Sequence, residues 1–155
     1  MYTVAVLAIN DKVYRGERPD ESGKVVMDVL EKNGFSVVHY AVAPYELPYI
    51  SSELMRLCDE GVADMVLTTG GTGFGKRDVT PEATQDVVER VCVGIPEAMR
   101  VWTLSMGKRA MLSRAMAGIR CERLIINLPG DPIAARNCLE YIMSEMDHAL
   151  FMLKS

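Results

Sequence analysis

Val4-Ala5-Val6-Leu7-Ala8-Ile9, closed by Asn10-Asp11, is an unbroken apolar run ending in two polar turn residues. A strand with one wet face would alternate, so this run predicts a central strand covered on both faces. Downstream, Asp20 or Ser22 can cap a helix that buries Val25, Val26, Val29 and Leu30 and stops at Gly34; Phe35 to Val42 then reads as a second strand. Past Pro44 and Pro48, Ile50, Leu54, Leu57 and Cys58 stripe a second helix ended by Gly61, and Ala63 to Thr69 forms a third strand. Strand and helix alternating over short connections specify right-handed crossovers. The expected fold is α/β, a doubly wound, mostly parallel sheet with helices on both faces.

Thr80-Pro81-Glu82 opens another helix, with Ala83, Val87, Val88 and Val91 as its buried face, and a further helix is expected from Pro96. Ala115 to Arg120 and Arg123 to Asn127 read as a short late β-hairpin around Cys121-Glu122. The last helix begins at Pro132 and carries Cys138, Ile142, Met146, Ala149 and Leu153 as its stripe. With no repeat, low-complexity tract or linker, residues 1–155 read as a single domain.

The chain has 155 residues, 49% of them hydrophobic, enough for a core without metals or disulfides. Its 17 basic and 21 acidic side chains leave a net charge of −4 and a pI near 5.2, which argues against nucleic acid as a partner. No apolar run is long enough for a membrane span, and Met1-Tyr2-Thr3 leads directly into the first strand without a basic leader, so the expected compartment is the cytoplasm. Cys58, Cys92, Cys121 and Cys138 form no Cys-x-x-Cys pair and read as buried reduced thiols. His39 and His148 have no metal-binding neighbours in sequence, and methionines such as Met27, Met99, Met106, Met116 and Met146 read as core filler.

Chemistry concentrates in Thr69-Gly70-Gly71-Thr72-Gly73-Phe74-Gly75-Lys76-Arg77-Asp78, which leaves the carboxyl end of the third strand. Gly70, Gly71, Gly73 and Gly75 permit close backbone approach and positive φ, so successive N–H groups can form an anion nest. Lys76 and Arg77 add cationic donors, and Asp78 is a carboxylate able to share Mg²⁺ with phosphate oxygens. Asn10-Asp11, Pro44-Tyr45-Glu46 and Asn127-Leu128-Pro129-Gly130 follow the other strands; if these are parallel, all four clusters share one sheet edge. Tyr14, Arg15, Arg18 and Asp20 lie in a long polar connection of the kind that borders sites, and Ser113-Arg114 could offer a hydroxyl and a guanidinium to an anion. No nucleophile elbow or His-Glu-x-x-His is present, which disfavours triad and zinc hydrolysis.

Thr69-Gly70-Gly71-Thr72-Gly73 and Arg77-Asp78-Val79-Thr80-Pro81-Glu82-Ala83-Thr84 together resemble the signature of the molybdopterin adenylyltransferase family of molybdenum-cofactor biosynthesis. Asp20-Glu21-Ser22-Gly23, the Gly94–Arg100 block, Met111 to Arg120, and Leu124 to Gly130 resemble further blocks of that family in the same order. The resemblance implies transfer of AMP from Mg-ATP to the terminal phosphate of molybdopterin, with release of pyrophosphate. It implies a homotrimer and a downstream molybdate-insertion enzyme as partner. It makes Asp78 the catalytic residue and a metal ligand. It places Asp11, Gly70, Gly71, Thr72, Gly73, Ser113, Asn127, Pro129 and Gly130 at the substrates, where the cationic chemistry of Lys76, Arg77 and Arg114 adds these three.

A departure stands beside it. The family often carries an aspartate directly behind the proline that follows the second strand, where this chain has Tyr45 and then Glu46. A phenol with a pKa of about 10 does not hold Mg²⁺ as a carboxylate does. Either Glu46 supplies the second metal ligand, or the protein is a non-catalytic molybdopterin or nucleotide binder of the same fold.

Overall fold

In the computed structural model, which describes residues 1–155, the opening apolar run is strand β1 (Thr3–Ile9), buried throughout from Val4 onward. Strands β2 (Ser36–Ala43), β3 (Met65–Thr69), β4 (Arg90–Val91), β5 (Ala117–Arg120) and β6 (Arg123–Leu128) complete a six-stranded sheet of order β2-β1-β3-β6-β5-β4. Strands β2, β1, β3 and β6 are parallel, while β5 runs against both its neighbours. The mostly parallel, doubly wound sheet is as expected.

Alternation along β1 divides the core. Val4 and Val6 meet α2 (Glu21–Lys32), α5 (Gly94–Leu104) and α6 (Pro132–Leu153) through Leu30, Met99 and Leu139. Ala5 and Leu7 meet α3 (Leu47–Asp59) and α4 (Thr80–Val87) through Leu54, Leu57 and Val87 on the opposite face. Two helices stop where their glycines predict. Phe35 N–H reaches Leu30 O and Gly34 N–H reaches Glu31 O, and Val62 and Gly61 repeat the pattern on Leu57 and Cys58, the paired bonds of a Schellman cap. Of the two candidate caps for α2, Asp20 serves, accepting from Gly23 N at 2.9 Å; Ser22 instead exchanges a hydrogen bond with Thr69.

Several boundaries differ from the sequence reading. The helix opened by Thr80-Pro81 ends at Val87, so Val88 and Val91 lie outside it, and Val91 is an exposed residue of the short edge strand β4. The run Val87-Val88-Glu89-Arg90-Val91 is rich in β-branched residues, which prefer extended backbone, and β5 offers it a pairing edge. Helix α5 starts at Gly94, placing Pro96 in the first turn, where its missing N–H costs nothing. A four-residue helix, α1 (Asp11–Tyr14), follows β1 directly because Asn10 caps it through Val13 N. Cys121 and Glu122 both adopt positive φ, the requirement of a two-residue type I′ turn, which closes the hairpin as expected. Cys121 is exposed and Cys92 half-buried, so only Cys58 and Cys138 are the buried thiols anticipated for all four. Met106 is likewise exposed rather than core.

Asn127 ties the layers together. Its side chain is fully buried, with Nδ2 donating to Thr68 Oγ1 at 3.0 Å and Thr84 Oγ1 at 2.9 Å, and Oδ1 accepting from Met116 N at 3.2 Å. Removing it leaves the buried Thr68 hydroxyl and the Met116 N–H without these partners and takes one of two from Thr84, which still donates to Thr80 O. Asn127→Ala should therefore lower unfolding stability by about 2–4 kcal/mol in urea titration. A loss under about 0.5 kcal/mol would show that the latch is not structural.

Candidate active site

The register of the parallel strands sets the site. Ile9 lies level with Ala43, Ala8 with Thr69, and Thr69 with Leu128, so the residues that follow each strand emerge along one edge. The chain leaves β1 toward β2 on one side and returns to β3 on the other, so the switch point of the sheet lies between β1 and β3. A cavity of about 420 Å³ opens there, walled by Ile9 and Asn10, Arg18 to Ser22, Tyr45, Thr69 and Gly130 to Pro132. A second, more apolar groove of about 500 Å³ lies beyond the glycine loop, between Thr72 to Phe74, Ser113, Pro129, α5 and the start of α6. Asp131 borders both.

The loop between them depends on two glycines. At Gly70 (φ +108°) a Cβ would sit 2.2 Å from the Ile9 carbonyl oxygen, and at Gly71 (φ +72°) one would sit 2.2 Å from Thr80 Oγ1. Thr80, fully buried, donates from Oγ1 to Gly70 O at 2.9 Å and from N to Gly71 O at 3.1 Å. Arg114 takes the remaining carbonyls: its backbone N–H reaches Thr72 O at 2.9 Å, Nε reaches Gly73 O at 2.8 Å, and a terminal nitrogen reaches Asp78 O at 2.7 Å. Its other terminal nitrogen pairs with Glu82 at 2.6 Å. With the carbonyls held, the N–H groups of Gly71, Thr72 and Gly73 donate to no protein acceptor. That row of unpaired amides lies where the sequence reading expects an anion nest.

Asp78 sits inside the loop. Its Oδ2 accepts from Gly75 N at 2.8 Å and lies within 3.0 Å of where a Cβ on Gly73 would fall, while Oδ1 has no protein partner. Asp11 is held differently. Arg77 grips both its oxygens at 2.8 and 3.2 Å, and Tyr45 N–H donates to Oδ1 at 2.8 Å. The Arg77 guanidinium, with the Tyr45 N–H in support, holds the Asp11 carboxyl below the usual aspartate range despite partial burial. The Tyr45 phenol is half-buried, and burial, with the charges of Asp78 and Asp11 behind it, pushes its pKa up. The Glu46 side chain is exposed, makes no hydrogen bond, and adds to the field that raises Arg77.

The expected site residues therefore separate into groups. Gly70 to Gly73, Asp78, Ser113, Pro129 and Gly130 come together around the loop and its two concavities. Lys76 is exposed and without an ion partner. Arg114 and Asn127, both expected at the substrates, are engaged by the protein, Arg114 holding the loop from beneath and Asn127 buried in the sheet. Asp11 and Arg77 likewise satisfy each other. Arg18 and Asp20 border the cavity as anticipated. Sequence reading missed Thr80, Arg100 and Asp131. Arg100 reaches Ser113 O at 3.2 Å and Ala115 O at 2.9 Å, and Asp131 caps α6 through Ala134 N; the Asp-Pro pair after Gly130 was the available signal for Asp131.

No three His, Cys, Asp or Glu side chains are grouped to hold a metal ion. One free carboxylate oxygen on Asp78 beside a phosphate nest nevertheless fits Mg²⁺, which commonly takes one or two protein carboxylates and completes its shell with phosphate oxygens and water.

The profile of the family described as "Probable molybdopterin binding domain" matches residues 5–148. The chain belongs to that family. It is 39% identical to the molybdopterin adenylyltransferase of Helicobacter pylori, over 97% of this chain and 86% of the relative, and 37% identical to that of Haemophilus influenzae, over 95% and 76%. Among solved structures, the molybdopterin biosynthesis enzyme MoaB of Thermus thermophilus superposes with a TM-score of 0.93 at 40% identity, covering 99% of this chain and 96% of that one. The tungsten cofactor synthesizing protein MoaB of Pyrococcus furiosus superposes with 0.86 at 31% identity, covering 100% and 98%. The family resemblance and the α/β fold expected from the sequence are both met.

Two outcomes test this molybdopterin-binding-domain site. Arg114→Lys keeps a charge but cannot reach three acceptors, so the loop amides should exchange faster with deuterium, and any turnover should drop about a hundredfold. Unaltered exchange would refute the clamp. The Asp11–Arg77 pair should stabilise the fold above the unfolded aspartate pKa of about 3.9 and lose that contribution as pH falls through the lowered folded value. In Arg77→Gln, NMR titration should find Asp11 shifted back upward; an unchanged titration would contradict the pairing.

Proposed function

We infer that this protein acts in molybdenum cofactor biosynthesis as a nucleotidyltransferase, adenylylating molybdopterin with Mg-ATP to give adenylylated molybdopterin and pyrophosphate. The observation that carries this reading is the row of unpaired N–H groups at Gly71 to Gly73, beside the free Asp78 oxygen, with a concavity on either side. Group transfer needs two ligands to meet at one phosphate-binding element, and this edge provides that layout. Adenylyltransferase relatives at 37–39% identity support it.

The difficulty of the reaction is that two polyanions must approach each other. Oriented amides and the Lys76 ammonium offset that repulsion without reorganising during the reaction. An oxygen of the pterin phosphate attacks the α-phosphorus in line; the new P–O bond forms as the bond to the bridging oxygen breaks, and pyrophosphate leaves with the electron pair. Ser113 Oγ accepts from Ala115 N at 3.3 Å, which leaves its proton to donate into the groove toward the pterin phosphate or adjacent polar atoms. Mg²⁺, when bound, supplies charge neutralisation across the phosphates. Asp78 would hold it, with Glu46 the second carboxylate of this edge.

A second reading, a binder that does not transfer, is favoured by Tyr45 standing where the resemblance expects a carboxylate and by the lack of a three-ligand metal group. Pyrophosphate release from wild type, abolished by Asp78→Ala, is the result expected of the enzyme. Retained molybdopterin binding with no release would select the binder.

The wider role we infer is that of a cytoplasmic homotrimer passing its product to a molybdate-insertion enzyme. Val101, Leu104, Met111, Phe151 and Met152 are each 40–70% exposed, apolar side chains of the kind that subunit contacts cover. No helix is long and apolar enough to cross a membrane. Light scattering should give three times the chain mass at micromolar concentration; a stable monomer would remove the trimer.

A further inference from the structure

The Tyr45 hydroxyl has a fixed hydrogen-bonding direction. Asn10 Oδ1 accepts from Val13 N at 3.0 Å to cap α1, which requires its amide nitrogen to face Tyr45, and Nδ2 donates to the phenol oxygen at 3.2 Å. The phenol is therefore an acceptor toward Asn10, and its own proton must go elsewhere. No protein acceptor takes it. The backbone is equally fixed, since Tyr45 N–H is held by Asp11, which Arg77 braces. The ring lines the cavity at the β1–β3 switch point, together with Arg18, which makes no ion pair. Two of the acids on that wall are already engaged: Asp20 accepts from Gly23 N and the Tyr40 hydroxyl, and Asp131 caps α6.

We propose that Tyr45 is a ligand-contacting residue of this site, donating its phenolic O–H to a phosphate oxygen of the nucleotide in the β1–β3 crevice. This rests on the phosphoryl-transfer reading above and adds to it. A carboxylate at this position could approach a phosphate only across a cation. A neutral phenol reaches it directly and adds no negative charge. Part of the affinity for phosphate in this protein is therefore independent of the metal ion.

The probe is inorganic pyrophosphate, measured by calorimetry on the purified wild-type chain with Mg²⁺ and with EDTA. Wild type should bind in both conditions. Tyr45→Phe, which keeps the ring and so the packing, should weaken binding about tenfold or more in both. Tyr45→Asp should abolish binding in EDTA and recover it when Mg²⁺ is added. Binding by Tyr45→Phe within twofold of wild type, or no binding by wild type, overturns the proposal. Adenylyl transfer is scored separately. Turnover with Tyr45-independent binding defeats the role of Tyr45 and leaves the reaction standing, whereas Tyr45-dependent binding without turnover does the reverse.

Discussion

Three carbonyl oxygens of one glycine-rich loop, those of Thr72, Gly73 and Asp78, point at a single residue, Arg114. That capture sets the Gly73 amide, while Thr80, holding the Gly70 and Gly71 carbonyls, sets those of Gly71 and Thr72. A peptide group whose oxygen is held inward presents its N–H outward, so fixing carbonyls beneath the loop sets the direction of the amides above it. The guanidinium suits the task because its donors lie in a rigid plane and its charge strengthens each bond. Glu82 in the first turn of α4 neutralises it locally, so the clamp is half of an ion pair rather than a lone buried charge.

The same division recurs around the site. Arg77 and Asp11 satisfy each other and connect the loop to the end of β1, and Arg100 holds the Ser113 and Ala115 carbonyls. Asp11, Arg77 and Arg114 look like ligand contacts in the sequence and act as braces in the fold, and Arg100, which the sequence did not single out, does the same. The reason is geometric. Where four parallel strands end together, many turn carbonyls and amides emerge without ladder partners, and each must find one. Arginine satisfies several acceptors at once, so it is drawn into the framework.

Much of the fold was legible because β1 is apolar without alternation, and because Gly34, Gly61 and the Thr80-Pro81 pair mark helix ends through backbone chemistry local to those residues. What was not legible depended on partners distant in sequence. Val88 and Val91 fit a helical stripe as well as a strand, and only the β5 edge decides between them. Asn127 ends a strand before a turn-rich stretch and reads as a residue of the pocket edge, yet its three partners come from Thr68, Thr84 and Met116. In the site, the loop and Asp78 could be read because close backbone approach requires glycine. The braces could not, because nothing local distinguishes an arginine that meets a phosphate from one that meets a carbonyl.

With Arg77, Arg100 and Arg114 engaged, the cations left without an ion partner near the loop are Lys76 on it, Arg18 in the crevice and Arg109 on the groove. On a chain whose net charge is −4, these three cations stand beside Asp20, Glu21 and Asp131 on the crevice wall and Asp78 on the loop, so they offset the acids of the edge rather than outnumber them. The cations lie on different sides of the glycine loop, so charge does not select one concavity. Selection between ligands then falls to the walls. The crevice between β1 and β3 is lined by polar groups, whereas the groove beside α5 is lined by Met99, Met106, Leu112 and Ile133 and suits a flat, less polar body. The contrast in wall polarity, rather than charge, is what distinguishes the two concavities.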